Sequence, residues 1–564
     1  MKTDIFSGSV LIVSVLILCV FFLWPLSATL EAALIDPQGK ITAAYLAEVF
    51  INPLYQEGLL NSLWIAIWST MGCILVAMPL AVFYTGYRFP GREGFNALAL
   101  SPLMLPPFVG ALGIQMILGR HGSLNSLLAQ LGWGATDASF DWLGEGRMMG
   151  IVLMNVLHLF PIIYINLSNT LAKIDPDLEE AASSLGAGTF RCFSRVLLPL
   201  TLPGLFSGAS ITFIWAFTEL GVPLIFDFDR VTSVQIFNAI RDLNGNPFPY
   251  ALVFVLLVAT TLLFLLSRLF LLGHQWEGGG RAVRGRVLKY PGAYARIVMT
   301  GIFLLLTILA LSPHLAVLLL ALGQDWYDSV LPETFTIEHF TNALGNDLTL
   351  PSIANSIRYS AASTVLDLVF GTLIAWVLIR SRLPGRALLD ALVMLPLSVP
   401  GIVLAFGYLA LSREGKSLDF LVIDGDPFWL LVIAYAMRRL PYVVRAMSAS
   451  FLHISPVLEQ AALNLGASPW KGFLRITLPL ALPSLLAGGT LAFAFAMLEV
   501  SDSMILAQKT VHFPITKAIY SLAGTIGEGP QLAAALGVWA MSFLLVLVVG
   551  LGFLIGLKNL RVFR

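Results

Sequence analysis

The chain has 564 residues, of which 57% are hydrophobic and only 12% charged, with a mean hydropathy of +0.85. Soluble domains carry about 25% charged residues, so this composition excludes an ordinary soluble fold and indicates an integral membrane protein. Thirty-three basic residues balance thirty-three acidic ones. The total charge therefore names no partner, and no nucleic acid is expected.

Apolar runs long enough to cross about 30 Å of hydrocarbon as helix begin near residues 9–30, 59–85, 97–118, 148–170, 203–226 and 250–273. They continue near 296–323, 353–379, 387–411, 428–450, 480–506 and 531–557. The expected fold class is an all-α membrane protein of about twelve transmembrane helices embedded in a lipid bilayer. The first run has no small-residue cleavage site and is read as a retained helix, not a signal peptide. With the N-terminus cytoplasmic, about 20 Lys and Arg fall in cytoplasmic segments against about 9 outside, the direction of the positive-inside rule. Both termini are then cytoplasmic. Cys19 and Cys73 fall in spans and Cys192 in a loop, a scatter that gives no disulfide or metal framework.

The chain repeats itself. Asn61-Ser62 through Pro90-Gly91-Arg92 runs parallel to Asn355-Ser356 through Pro384-Gly385-Arg386 at an offset of 294. Met104-Leu105-Pro106 answers Met394-Leu395-Pro396, and Pro161 answers Pro441. The halves are 1–275 and 296–564. Between them lies a basic linker, 276–295, with Gly278-Gly279-Gly280, Arg281, Arg284, Arg286 and Lys289, and Arg296 just beyond it; the glycines make it flexible. Six spans per half is an even number, so the two parallel six-helix repeats enter the membrane in the same orientation, unlike inverted repeats. A pathway between the halves follows. Pro102, Pro106 and Pro107, and in the copy Pro396 and Pro400 with Gly401, break the third spans, which is tolerated where freed carbonyls face protein or a cavity.

Two polar segments between spans, 171–202 and 451–482, carry the most specific pattern. The first reads Glu180-Ala181-Ala182-x3-Gly186-x9-Val196-x-Leu198-Pro199. The second reads Gln460-Ala461-Ala462-x3-Gly466-x9-Ile476-x-Leu478-Pro479, 280 residues later and without a gap. Asp175-Pro176-Asp177 and Ser455-Pro456 are helix starts, with acids near the positive end of the dipole in the first. Gly186 and Gly466 are natural helix stops, and the alanines leave a small-residue face for close approach.

This resembles the Glu-Ala-Ala loop of permease subunits of ATP-binding cassette (ABC) importers. A fused chain of this kind is similar to the branch that handles ferric iron, thiamine and aminoethylphosphonate. The resemblance implies a type I importer permease fold in a bacterial inner membrane, with two ABC ATPase subunits docked on the loops and a periplasmic solute-binding protein on the other face. It also implies alternating access, with ATP and Mg used by the ATPase and no cofactor held by this chain. The chain is then not an enzyme. Consistently, the nearest string to a phosphate-binding loop, Ala410 through Gly415-Lys416-Ser417, lacks the leading glycine that such a loop needs. Gln460 departs from the family's Glu, with Glu459 just before it, so the two docking sites are expected to be unequal. Outer segments 227–249 and 507–530 are candidates for docking the binding protein.

Charges within spans point to the pathway by default. Glu219 and Glu499 are equivalent under the 280-residue offset, each sixteen residues into its span or roughly 24 Å at 1.5 Å per residue. Two facing carboxylates suit transient contact with a hard cation such as Fe(III), which prefers oxygen ligands; Asp502 lies one turn from Glu499. The alternative is that each glutamate caps a helix break or forms a salt bridge. Arg438-Arg439, with His158 matching Arg438 in the other half, favour a phosphonate or another anion, or else pair with Glu499 or Asp502. Arg358 and Asp367 form another candidate pair. Ferric iron is the first substrate reading, with 2-aminoethylphosphonate, thiamine or another small organic solute as alternatives. A reading from another class is an ion-coupled secondary transporter with Glu219, Glu499 and Asp367 as carriers; it leaves the paired loops unexplained.

Overall fold

In hydrocarbon an apolar chain satisfies its backbone groups within a helix, and the computed structural model is helical almost throughout. It describes residues 2–35, 39–132, 140–144, 147–242, 248–273 and 288–562. The linker glycines 278–280 with Arg281, Arg284 and Arg286 lie outside the described residues. Among those described, the one sheet is a two-residue antiparallel ladder, Gly323–Gln324 with Thr334–Phe335.

Nine described helices are long and apolar enough to cross a membrane, or up to eleven if each of two bent pairs is one span. The twelve apolar runs therefore do not all become simple spans. The third run of each half is two helices at nearly a right angle: Arg92–Leu103 with Pro107–Gln130 at 98°, and Arg386–Leu397 with Gly401–Leu411 at 99°. The prolines explain the breaks. They lack an N–H and disfavour helix in the residue before them, and Leu105, Pro106 and Pro400 are extended. The run near 428–450 forms the 26-residue helix Phe428–His453. It is long enough to span, but every 18-residue stretch of it holds Arg438, Arg439 and Arg445.

The duplication is visible in three dimensions. Asn61 donates to the carbonyl of Arg230 (2.9 Å), and Ser62 Oγ accepts from Thr232 N (3.0 Å). In the copy Asn355 donates to the carbonyls of Val511 (2.8 Å) and Phe513 (3.3 Å), and Ser356 Oγ accepts from Ile515 N (2.7 Å). Each repeated Asn-Ser thus ties a long helix, Pro53–Gly86 or Thr349–Arg380, to the segment that follows the helices Leu198–Phe217 and Gly221–Ile225, or Leu478–Met497 and Ser501–Leu506.

The halves also exchange their first helices. Trp24–Leu34 packs on Gly401–Leu411 of the second half, and Ala293–Leu322 packs on Pro107–Leu118 of the first. Both crossings need a glycine: a β-carbon on Gly407 would run into the carbonyl of Pro25, and one on Gly113 into that of Pro313. The phenol of Tyr408 adds a hydrogen bond to the carbonyl of Phe21. Overpacking a tight contact typically costs about 1–3 kcal/mol. Gly407→Val and Gly113→Val are each expected to lower the melting midpoint of the detergent-purified chain in scanning fluorimetry. Midpoints equal to wild type would show that the crossings are looser than drawn.

Candidate functional site

Both polar loops fold as their sequence directs. Helix Pro176–Ser184 starts with Asp175 Oδ1 accepting from Asp177 N (3.1 Å), and helix Pro456–Asn464 with Ser455 Oγ accepting from Val457 N (3.4 Å). Each ends on a left-handed glycine, Gly186 at φ 81° and Gly466 at φ 83°. Paired bonds close the turns: Ala187 N to Ala182 O and Gly186 N to Ser183 O, then Ala467 N to Ala462 O and Gly466 N to Leu463 O, all 2.9–3.0 Å. Such a cap satisfies the last helical carbonyls. Leu198-Pro199 and Leu478-Pro479 open the helices Leu198–Phe217 and Leu478–Met497 that return into the apolar layer.

Glu180 and Ala181, like Gln460 and Ala461, are exposed. Leu185 and Leu465, equivalent in the repeat, are each 89% exposed, with Phe190 and Trp470 exposed beside them. The carboxylates that hold the loops in place are one residue earlier than the motif position. Glu179 is buried, with its Oε2 2.8 Å from Lys289 Nζ. Glu459 Oε1 receives Arg380 Nε at 3.2 Å and the Thr477 hydroxyl at 2.8 Å. The sequence signal for this was present: position 179/459 is Glu in both halves, whereas 180/460 is not.

Glu219 and Glu499 each sit where a long helix stops, at Phe217 and Met497, before a short helix resumes at Gly221 and Ser501. Ser233 Oγ donates to the carbonyl of Glu219 (2.5 Å) and Thr516 Oγ1 to that of Glu499 (2.7 Å), so the backbones match. Their side chains match only in part: Glu499 Oε1 also accepts from the N–H of Asp502 (3.4 Å), the residue equivalent to Val222, but the other contacts differ. Glu219 Oε1 accepts from the N–H groups of Gly221 (2.9 Å) and Val222 (3.2 Å), capping the break. Glu499 Oε1 meets Arg438 Nη1 at 2.5 Å, while Oε2 pairs with Arg439.

Arg438 Nη1 also lies 3.3 Å from Asp502 Oδ2, and Arg439 Nη2 donates to the carbonyl of Phe495 at 3.0 Å. A β-carbon on Gly401 would collide with the Arg438 guanidinium, so the helix break at Pro400-Gly401 also makes room for that charge.

These residues surround a cavity of about 170 Å³ lined by His158, Glu219, Arg438, Arg439, Tyr442 and Glu499. Both glutamates therefore face one space, and one half supplies its arginines. Asp502 is fully buried and does not line the cavity. Tyr442 joins the site beyond the residues singled out from the sequence as pathway candidates. Asp367 lies elsewhere, buried, with neither carboxylate oxygen hydrogen-bonded, so no Arg358–Asp367 hydrogen bond forms. Among the described residues no three His, Cys, Asp or Glu side chains converge as a metal cluster.

Comparison with known proteins places this geometry. The family model for "Binding-protein-dependent transport system inner membrane component" matches residues 73–272 and again 367–551. A "Putative ferric transport system permease protein" of Haemophilus influenzae is 27% identical over 536 residues, covering 90% of this chain and 79% of its own length. The "Ferric transport system permease protein" of Actinobacillus pleuropneumoniae is 27% identical over 535 residues, covering 90% and 72%. A "Putative 2-aminoethylphosphonate transport system permease protein" of Salmonella typhimurium is 30% identical over 226 residues, covering 40% of this chain and 78% of its own. With the family segment present twice and each copy carrying its own loop, the chain belongs to the binding-protein-dependent transport system inner membrane components, as a fused two-half permease subunit.

Proposed function

We propose that this chain forms the membrane pathway for ferric iron in an ATP-driven importer. The observation that carries the substrate is that relatives named for ferric transport align along both halves, over 90% of the chain, whereas the phosphonate relative, itself about half as long, aligns with 40%. The cavity supports a small cargo. Its roughly 170 Å³ is below the ~300 Å³ at which pockets for drug-sized ligands begin, and Glu219 and Glu499 on its wall supply oxygen for passing contact with a hard cation.

A binding protein delivers the solute on the outer face, with 227–249 and 507–530 as its docking segments. Two ATPase subunits dock on the coupling helices Pro176–Ser184 and Pro456–Asn464. They bind ATP and Mg and do the hydrolysis, and their closure drives the halves between outward- and inward-open states. Both termini and both loops are cytoplasmic in this arrangement. A phosphonate is the second reading, because Arg438 and Arg439 also line the cavity.

The test is ATP hydrolysis by the complex reconstituted with its ATPase and binding protein, the latter loaded in turn with Fe(III), aminoethylphosphonate and thiamine. Selective stimulation by the iron-loaded protein is expected. Stimulation by the phosphonate alone would overturn the iron assignment.

A further inference from the structure

Each coupling helix buries or half-buries one carboxylate, and the two halves neutralise it from different places. In the second half the cation is Arg380, the last residue of helix Thr349–Arg380, which reaches Glu459 and also donates to the carbonyl of Ile454 (2.7 Å). Under the 294-residue offset its counterpart is Gly86, the last residue of helix Pro53–Gly86, which has no side chain to offer.

A strap from the segment joining the halves lies across that point. Lys289 N donates to Gly86 O (2.9 Å) and Arg88 N donates to Lys289 O (3.0 Å), a parallel bridge opposite Tyr87. Tyr290 fixes it further, its hydroxyl accepting from Arg88 Nη1 at 2.7 Å and its ring under the guanidinium. With the backbone so held, Lys289 Nζ meets Glu179 Oε2 at 2.8 Å.

We infer that Lys289 is a positioning residue for the first coupling helix: the interhalf segment supplies the cation that Arg380 supplies within the second half. An exposed lysine pair is usually worth little, and the Lys289 side chain is 59% exposed. Its partner differs, because the Glu179 side chain is only 9% exposed, and a pair with a buried carboxylate is screened much less than one between two exposed groups. The backbone bridge also removes much of the freedom that weakens surface pairs. Four residues after Lys289 begins Ala293–Leu322, the exchanged helix packed on Pro107–Leu118. The first ATPase contact is therefore braced by the start of the second half, and fusion of the halves contributes to coupling as well as to pairing.

The inference rests on the coupling role proposed for these helices, so the experiment reads both. The full complex with ATPase and iron-loaded binding protein is placed in proteoliposomes, and bound ATPase and iron imported per ATP hydrolysed are measured. Lys289→Ala is expected to lower import per ATP about threefold to fivefold, the scale of a single partly exposed pair. Lys289→Arg is expected to restore it, and the exchange Glu179→Lys with Lys289→Glu to recover part. Arg380→Ala is expected to give the matching loss through the second loop.

Melting midpoints of all variants separate misfolding from miscoupling. If Lys289→Ala couples like wild type while Arg380→Ala does not, the strap inference alone is overturned. A folded Lys289→Arg that fails to restore coupling overturns it as well. If the wild-type complex holds no ATPase at these helices, the coupling reading falls and takes the inference with it.

Discussion

Glu499→Gln is expected to abolish import and markedly lower the melting midpoint of the purified chain, whereas Glu219→Gln is expected to weaken import only in part and to leave the midpoint near wild type. Glu499 is 5% exposed and is the shared partner of Arg438 and Arg439. Glutamine removes its charge and leaves Asp502 as the remaining acid against two guanidiniums. Removing one partner of a buried ion pair typically costs about 3–5 kcal/mol, a large share of the about 5–15 kcal/mol that holds a typical domain together.

Glu219 has another task. Its Oε1 accepts two backbone N–H groups, and a glutamine Oε1 accepts them too. The loss is the difference between charged and neutral hydrogen bonds, about 1 kcal/mol. Scanning fluorimetry in detergent and iron uptake in proteoliposomes read the two effects. An equal loss of stability from the two substitutions would mean that Glu219, like Glu499, balances the arginines. The double variant Glu499→Gln with Arg439→Gln separates stability from transport: it removes one charge of each sign and is expected to recover stability, because deleting both partners of a pair is milder than deleting one.

The contrast between these two glutamates marks how far the sequence could be read. The 280-residue offset makes them equivalent, and their backbones are. What makes them unlike is their surroundings: Arg438, Arg439 and Asp502 in one half against His158, Leu159 and Val222 in the other. Every one of those letters was legible. Which acid the arginines choose depends on how Phe428–His453 rotates against its neighbours, and that is a packing outcome.

The loop acids show the same limit on a smaller scale. Gln460 stood out as a departure, yet adjacent residues of a helix point about 100° apart. Position 460 faces outward while 459 turns in to Arg380. Prolines announced that the third spans break but not that they turn through a right angle. The exchange of first helices had a sequence trace, Gly113 and Gly407 at the 294-residue offset and Pro25 and Pro313 at an offset of 288. That trace acquires meaning only once the crossings are seen.

Leu185→Asp combined with Leu465→Asp is expected to strip the ATPase from the complex and, with it, all stimulated hydrolysis. These leucines cap the two helices proposed to dock the ATPase and are each 89% exposed, next to exposed Phe190 and Trp470. A single exposed apolar side chain is ordinary, but the same large ones left exposed at equivalent places in both halves are what a repeated protein contact requires. Truncating a central anchor of such a contact removes about 2 kcal/mol or more of binding, and a carboxylate set into the partner's apolar pocket adds the desolvation of a charge. Each single substitution damages one of two sites and is expected to lower the ATPase retained on affinity-purified complex; the pair is expected to leave none. Gln460→Glu is the informative contrast. It restores the family's letter at an exposed position whose neighbour Glu459 already makes the half-buried pair with Arg380, and is expected to leave retention and hydrolysis unchanged. Full ATPase retention by the double leucine variant would move the docking surface off these helix ends. A gain of coupling from Gln460→Glu would show that the exposed acid itself contacts the ATPase, and that the two halves of this chain are coupled unequally.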